Sequence, residues 1–226
     1  CGTLFPYTTL FRSGLAGESG CGKSTLIRTI MRLLPPRTQV TADELSYRGQ
    51  DLLAFSDKAY RKKILWKEIS LVPQSAMNSL NPVYRVGDQI AEVIHNHVAI
   101  NRGEARKKIE QLFKGVGLQP ALTGNYPHEF SGGMRQRAMI AMSLALDPGL
   151  IIMDEPTTGL DVLVQERILR ELKTIREKSK AAIFLITHDI SVIAEMSDRI
   201  GIMYAGRIME QADALELFNE PFHPYT

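Results

Sequence analysis

The sequence is short of the features that mark a disulfide-stapled, membrane-spanning or nucleic-acid-coating protein. It holds two cysteines, Cys1 and Cys21, which make no disulfide framework and fit a reducing compartment. No apolar run reaches the ~18–20 residues that cross a bilayer; the nearest, residues 138–146, is shorter and contains Ser143. Any membrane role therefore needs partner chains. Net charge is only +2, so composition gives no argument for nucleic acid or an anionic membrane, and the basic runs 61–63 and 102–108 read as solvated faces. Internal repeats and low-complexity segments are also missing. What is present is 44% hydrophobic content over 226 residues, enough for one substantial core, or for one domain with a sizeable subdomain.

The chain opens on Cys1, and TLFPYTTLFRS at 3–13 resembles the conceptual translation of a sequencing-library adapter. Residues 1–13 are accordingly set aside as non-native and excluded from fold reasoning. Gly14-Leu15-Ala16 then reads as the tail of a strand that feeds GESGCGKST at 17–25, a match to G-x-x-x-x-G-K-[ST]. Gly17, Gly20 and Gly22 let the backbone turn tightly beside a ligand, and the N–H groups of the loop, Ser19 and Cys21 among them, can cradle an anion. Lys23 supplies a mobile charge for β- and γ-phosphates and Ser24 a hydroxyl for Mg²⁺. The apolar-periodic run 26–34, closed by Pro35-Pro36, opens a helix with its positive end toward the phosphates.

Farther along, residues 40–48 suggest a short strand ending at the turn Gly49-Gln50, and 56–67 a charged helix in which Trp66 packs. Ile69, Leu71 and Val72 mark a strand ending at Pro73-Gln74, followed by a loop over 75–82. Helical periodicity covers 86–98 and 102–116, with Arg102-Gly103-Glu104 as the break, and Ser131-Gly132-Gly133 opens a further helix to about Leu146. Residues 150–153 and 181–186 read as buried strands whose carboxyl ends carry Asp154-Glu155-Pro156 and Thr187-His188-Asp189. Helices are expected over 163–179 and 190–196, a hairpin over 199–204 and 207–211, and a last helix over 212–218. The pattern is α/β, a P-loop NTPase core with a mostly parallel sheet over 14–74 and 147–226 and an inserted helical region over 75–146, with ligands gathered at the carboxyl edge of the sheet.

Chemistry follows from those edges. Asp154, after four apolar residues, has the form of a strand that delivers a carboxylate to Mg²⁺ beside the phosphate loop. Glu155 points differently, where it can orient or deprotonate an attacking water. Gln74 can meet the metal or its water, and His188 can donate to a γ-phosphate. Ser131-Gly132-Gly133 at a helix start is a second anion cradle, and two such ends with room for one nucleotide imply that the second serves another copy's ATP.

The ordered set GESGCGKST, Gln74, SGGMRQR at 131–137, IIMDEP at 151–156, GLD at 159–161 and THD at 187–189 resembles the nucleotide-binding domain of an ATP-binding cassette (ABC) transporter, over essentially all of 14–226. NSLNP at 78–82, YPHEFSGGMRQR at 126–137, DEPTTGLDV at 154–162 and PFHPYT at 221–226 are similar to the oligopeptide, dipeptide and nickel importer branch. The resemblance implies a head-to-tail dimer with two ATP molecules, each between one chain's loop and the other's signature. It makes Lys23, Ser24 and Thr25 holders of phosphate and Mg²⁺, Asp154 a metal ligand through water, Glu155 the base, His188 a γ-phosphate contact and Gln74 its sensor. Ser131, Gly132, Gly133 and Gln136 complete the partner's site, and Asp161 reaches across the interface. It also implies a second cassette, identical or paralogous, permease subunits docked on the helical region 75–146, an extracytoplasmic solute-binding protein, a peripheral place on the cytoplasmic face of the membrane, and no nucleic acid. Family members place further strands and an adenine-stacking aromatic before the loop. Tyr7 is not assigned that part, and the chain is expected to be a fragment at both ends. The alternative is a soluble cassette ATPase acting on nucleic acid or ribosomes. Neither the long coiled coil nor the tandem cassettes of those proteins is present.

Overall fold

Ile151, Met153, Ile183 and Leu185 face one apolar layer while Leu150, Ile152, Phe184 and Ile186 face another, so the strands that carry them have to be covered on both sides. The computed structural model describes residues 12–74, 76–178 and 181–226. Strand β1 (Arg12–Ala16) leads into α1 (Lys23–Ile30), a hairpin of β2 (Ser46–Tyr47) and β3 (Gln50–Asp51), α2 (Asp57–Lys63) and β4 (Ile69–Val72). Helices α3 (Ala76–Ser79), α4 (Val86–His97) and α5 (Arg102–Gly115), the 3-10 turns Pro120–Gly124 and Pro127–Glu129, and α6 (Gly132–Ser143) follow. The chain then alternates through β5 (Leu150–Asp154), α7 (Val162–Lys178), β6 (Ala182–Ile186) and α8 (Ile190–Met196), and ends with β7 (Arg199–Tyr204), β8 (Arg207–Asp213) and α9 (Ala214–Asn219).

The six-stranded sheet runs β4-β5-β6-β1-β7-β8, parallel throughout except for the β7–β8 hairpin. That is the α/β architecture expected. One face packs on α1 and α2 through Ile27, Ile30 and Tyr60. The other packs on α4 to α8, with Ile90, Phe113, Ile140, Leu169 and Val192 joining the sheet residues in one cluster. Each fully buried Ile, Leu or Phe contributes about 1.5–3 kcal/mol by leaving water, which is why these periodic positions decide the packing.

Register matters more for function than the core does. Leu15 and Asp154 both lie opposite Ile186, and Val72 lies opposite Met153. The carboxyl ends of β4, β5, β6 and β1 therefore finish side by side. Every residue that follows them starts from one line.

Local structure departs from the sequence expectations in several places. Arg12 and Ser13, excluded as non-native, lie in β1, where Arg12 donates to Asp198 at 2.9 Å; the rest of the excluded stretch, Tyr7 included, falls outside the described residues. Helix α1 stops at Ile30 and not at Pro35, because Met31 caps it and Arg32 turns left-handed at φ 52°. The strand expected over 40–48 shrinks to Ser46–Tyr47. Arg48 (φ 49°) and Gly49 (φ 75°) turn it tightly into β3. The loop expected over 75–82 holds the one-turn helix α3, although Ser75 is outside the described residues. Gly103 and Glu104 do not break the helical region; they form the first turn of α5, where Asn101 and Glu104 make a reciprocal capping box. Ala212 belongs to β8, and α9 begins at Ala214.

Candidate functional site

The phosphate loop is built by contrast between its two ends. Ala16 ends a buried strand, and Lys23 begins a helix whose N-cap is Gly22, with φ 113° and no side-chain cap. A left-handed φ of that size suits glycine alone. No acidic residue enters the first turn, so the free N–H groups of α1 keep their positive field. At Gly17 a Cβ would run into the Met203 carbonyl and the Cys21 sulfur, so the loop lies tight against β7. Gly206 N–H donates to the Cys21 carbonyl at 2.8 Å and pins the loop from the other side. Ser19, Gly20 and Thr25 are exposed, while Cys21 is buried as the described free thiol.

Lys23 is 6% exposed, and its Nζ donates to the carbonyls of Gly17 (2.6 Å) and Glu18 (2.8 Å). A buried ammonium held by two carbonyls of its own loop is already poised over the cradle. Asp154, 8% exposed, closes the loop on the β5 side. Burial pushes its carboxyl up from the usual range. A Ser24 hydrogen bond and the charges of Lys23 and Arg28 pull it down, and Glu155 pushes it up. Its Oδ1 is buried without a partner, the kind of orphaned acceptor that a cation or its water satisfies. The donor set Ser24, Asp154 and Gln74 fits Mg²⁺, which takes few protein oxygens and completes its shell with water and phosphate. Among the described residues no group of three His, Cys, Asp or Glu forms a metal cluster.

Glu155 is the centre of a second constellation. Its backbone is left-handed at φ 48°, a strained conformation for a non-glycine residue, and its N–H donates to the Ile186 carbonyl at 2.7 Å. That bond ties it to the end of β6, one residue before Thr187-His188. Gln74 Nε2 donates to Glu155 Oε2 at 2.7 Å, and Thr158 Oγ1 donates to the same oxygen at 3.0 Å. His188 Nδ1 lies 2.9 Å from Oε1, a hydrogen bond in the tautomer protonated there. Burial would raise this carboxyl, but the hydrogen bonds from His188, Thr158 and Gln74 outweigh it and hold the group below its ordinary range. Gln74, Glu155 and His188, three separate expectations from sequence, thus converge on one carboxylate. Thr158 was not foreseen. Its signal was the turn: Thr158 N–H bonds the Glu155 carbonyl (3.2 Å) around Pro156, which brings side chain i+3 back over residue i.

The other expected residues form a second group where α6 meets α7. Ser131 caps α6, accepting from Met134 N–H at 3.3 Å, and Asp161 accepts from Val164 N–H at 3.0 Å at the start of α7. Gly133 lets the helices touch, since a Cβ there would sit 2.5 Å from Val164 Cγ1. Gln136 is 4% exposed and its Nε2 has no partner, so its side chain is directed into the protein interior. Arg137 fastens the pair of helices by bonding the Gly117 carbonyl at 3.1 Å and Glu171 at 3.4 Å. Gly133→Ala is therefore expected to cost about 1–3 kcal/mol in denaturant unfolding through overpacking, and Val164→Ala in the same chain to recover most of the loss.

Comparison with known proteins gives a consistent picture. Residues 11–158 match the family described as ABC transporter. The probable peptide ABC transporter ATP-binding protein y4tR of Sinorhizobium fredii is 46% identical over 216 residues, covering 94% of this chain and 64% of the relative. The oligopeptide transport ATP-binding protein OppD of Bacillus subtilis is 43% identical over 94% of this chain and 60% of its own length. The dipeptide transport ATP-binding protein DppD of Escherichia coli is 44% identical, over 94% and 65%. The chain thus spans less than two thirds of these relatives. Among solved structures, the post-hydrolysis dimer of the ATP-binding cassette MJ0796 bound to ADP and Pi superposes with a TM-score of 0.77 at 28% identity, over 91% of this chain and 85% of that one. The cbiO1 protein of Clostridium perfringens, part of the transporter complex cbiONQ, superposes with a TM-score of 0.79 at 27% identity, over 93% and 80%.

Proposed function

This chain belongs to the ABC transporter family, and from that premise we infer that it binds and hydrolyses ATP to power a peptide importer. The observation that carries the reading is the meeting of Gln74, His188 and Thr158 on Glu155, one residue past a buried Asp154 whose Oδ1 lacks a partner. Such an array holds a base beside a phosphate cradle.

In this reading the loop from Gly17 to Thr25 binds the triphosphate through backbone N–H groups. Lys23 gives up its loop carbonyls for β- and γ-oxygens. Ser24, Asp154 and Gln74 would hold Mg²⁺, which would neutralise charge on the phosphates. Glu155 takes a proton from water as the water oxygen bonds the γ-phosphorus. The bond from that phosphorus to the bridging oxygen breaks, leaving ADP and phosphate. His188 meets the γ-phosphate through Nε2. It reaches that phosphate by turning away from Oε1 of Glu155.

Ser131, Gly132 and Gly133 serve the ATP of a second cassette in a head-to-tail dimer, with Asp161 at the interface, whereas Gln136, expected to join them, is buried with its side chain turned inward and supports α6 from behind. The helical region 75–146 is where permease subunits dock, on the cytoplasmic side of the membrane. No helix among the described residues is long and apolar enough to cross a membrane; in this reading the permease subunits supply the translocation path. The names of the relatives, peptide, oligopeptide and dipeptide, favour peptides over nickel as the solute. The test is reconstitution: cognate permease with peptide-loaded binding protein is expected to stimulate ATP hydrolysis several-fold. Stimulation by DNA or ribosomes in their place would move the chain to the soluble alternative.

A further inference from the structure

Glu155 accepts hydrogen bonds from three segments, and they are not equivalent. Gln74 comes from the end of β4 and His188 from the end of β6, both far from Glu155 in sequence, whereas Thr158 lies in the same Glu155–Thr158 turn. On the reading above, Gln74 turns to the metal and His188 to the γ-phosphate when ATP binds. Gln74 then swings its amide oxygen toward the metal and His188 its N–H toward the phosphate, so neither stays fixed on Glu155. Thr158 has no such competing duty. Its hydroxyl is fixed to the carboxylate by a turn that Pro156 stiffens and that closes with the 3.2 Å backbone bond.

We propose that Thr158 is the positioning residue for the base: it holds Oε2 of Glu155 while Gln74 and His188 are drawn to the nucleotide, leaving Oε1 free to take the proton from water. The proposal rests on the assignment of Glu155 as base. It is specific about the oxygen. Thr158 and Gln74 share Oε2, and His188 alone occupies Oε1, so departure of His188 frees the proton-accepting oxygen while Thr158 prevents rotation of the carboxylate. The backbone of Glu155 is already immobilised by the bond to Ile186, so side-chain rotation is the freedom left to control.

Thr158 is exposed, so Thr158→Val keeps shape and packing while removing only the hydroxyl. Steady-state ATP hydrolysis by the purified chain is expected to show kcat lowered about tenfold, the effect of a barrier raised by one decade, with KM for ATP and the unfolding midpoint unchanged. Thr158→Ser, which restores a hydroxyl, should recover most of the turnover. A fall in the unfolding midpoint alone, an equal change in KM, or Ser and Val variants that behave alike would each overturn the proposal. Glu155→Gln serves as the reference in the same assay. If it is inactive while Thr158→Val turns over normally, Thr158 is not the positioning residue and the base assignment stands. If Glu155→Gln turns over normally, both fall.

Discussion

Glu155→Gln is expected to stop ATP hydrolysis, lowering kcat by roughly 10²–10⁴-fold as loss of a general base does, while leaving ATP affinity intact. The carboxylate offers two acceptor oxygens to three donors. An amide offers one, and turns its other end into a donor that faces donors. With the new NH2 placed toward His188, whose Nδ1 can accept in the other tautomer, the amide oxygen still accepts from Gln74 and Thr158, so the array survives with one bond reorganised, and the left-handed backbone at residue 155 is untouched. What is lost is the ability to take a proton. With hydrolysis blocked and binding preserved, a head-to-tail dimer should accumulate in the presence of Mg-ATP. Light scattering after size exclusion should show a doubled mass with ATP and a single mass with ADP. Undiminished phosphate release by the variant would remove Glu155 from the chemistry.

Lys23→Ala should fail one step earlier. The ammonium is buried, and its bonds to the Gly17 and Glu18 carbonyls are exchangeable for phosphate oxygens. A hydrogen bond to a charged group contributes about 1.5–3 kcal/mol, so its loss corresponds to roughly 10- to 100-fold in Kd. Titration calorimetry with ATP is the direct measurement. Thermal unfolding of the same sample separates a lost ligand contact from a collapsed loop, because the variant also leaves two carbonyls without their donor. Unchanged affinity would contradict the cradle.

How much of this was readable beforehand depends on the length scale of each signal. Residues 150–153 and 181–186 were readable as buried strands, seen at Leu150–Asp154 and Ala182–Ile186, because a short unbroken apolar run between turn signals leaves few alternatives. The loop at 17–25 was readable because each of its residue types has a mechanical reason. The hairpin at 46–51 was only half readable: alternation over 40–48 suggests a strand and Gly49 marks its turn, but the returning strand Gln50–Asp51 is polar and exposed, so nothing announces it. Helix α3 was invisible, since four residues make about one turn and leave no second turn in which a 3.6-residue period could repeat. At Arg102-Gly103-Glu104 glycine suggested a break, yet the capping box of Asn101 and Glu104 won, because it satisfies two orphan backbone donors. Gln74 and His188 were single polar residues at strand ends, each weak alone. Only the shared register of β4, β5, β6 and β1 brings them onto Glu155, and register between distant strands is not written in any local pattern. Thr158 escaped for a related reason, since its aim depends on the closed turn more than on its own identity.

The flush register of the parallel strands also divides the molecule for spectroscopy. All the chemistry leaves from one end of the sheet, whereas the opposite end carries the Arg12–Asp198 pair and the turn at Asp147. Asp147 is 81% exposed, and its ion pair with Lys108 is of the surface kind that is worth ~0–1 kcal/mol. It is separated from Asp154 by the length of β5, on the order of 17 Å. A fluorophore attached there would sit at the foot of the strand whose far end carries Asp154 and leads into Glu155, without touching either. It would report rigid-body motion of the sheet on addition of nucleotide while leaving the far end of the strand undisturbed.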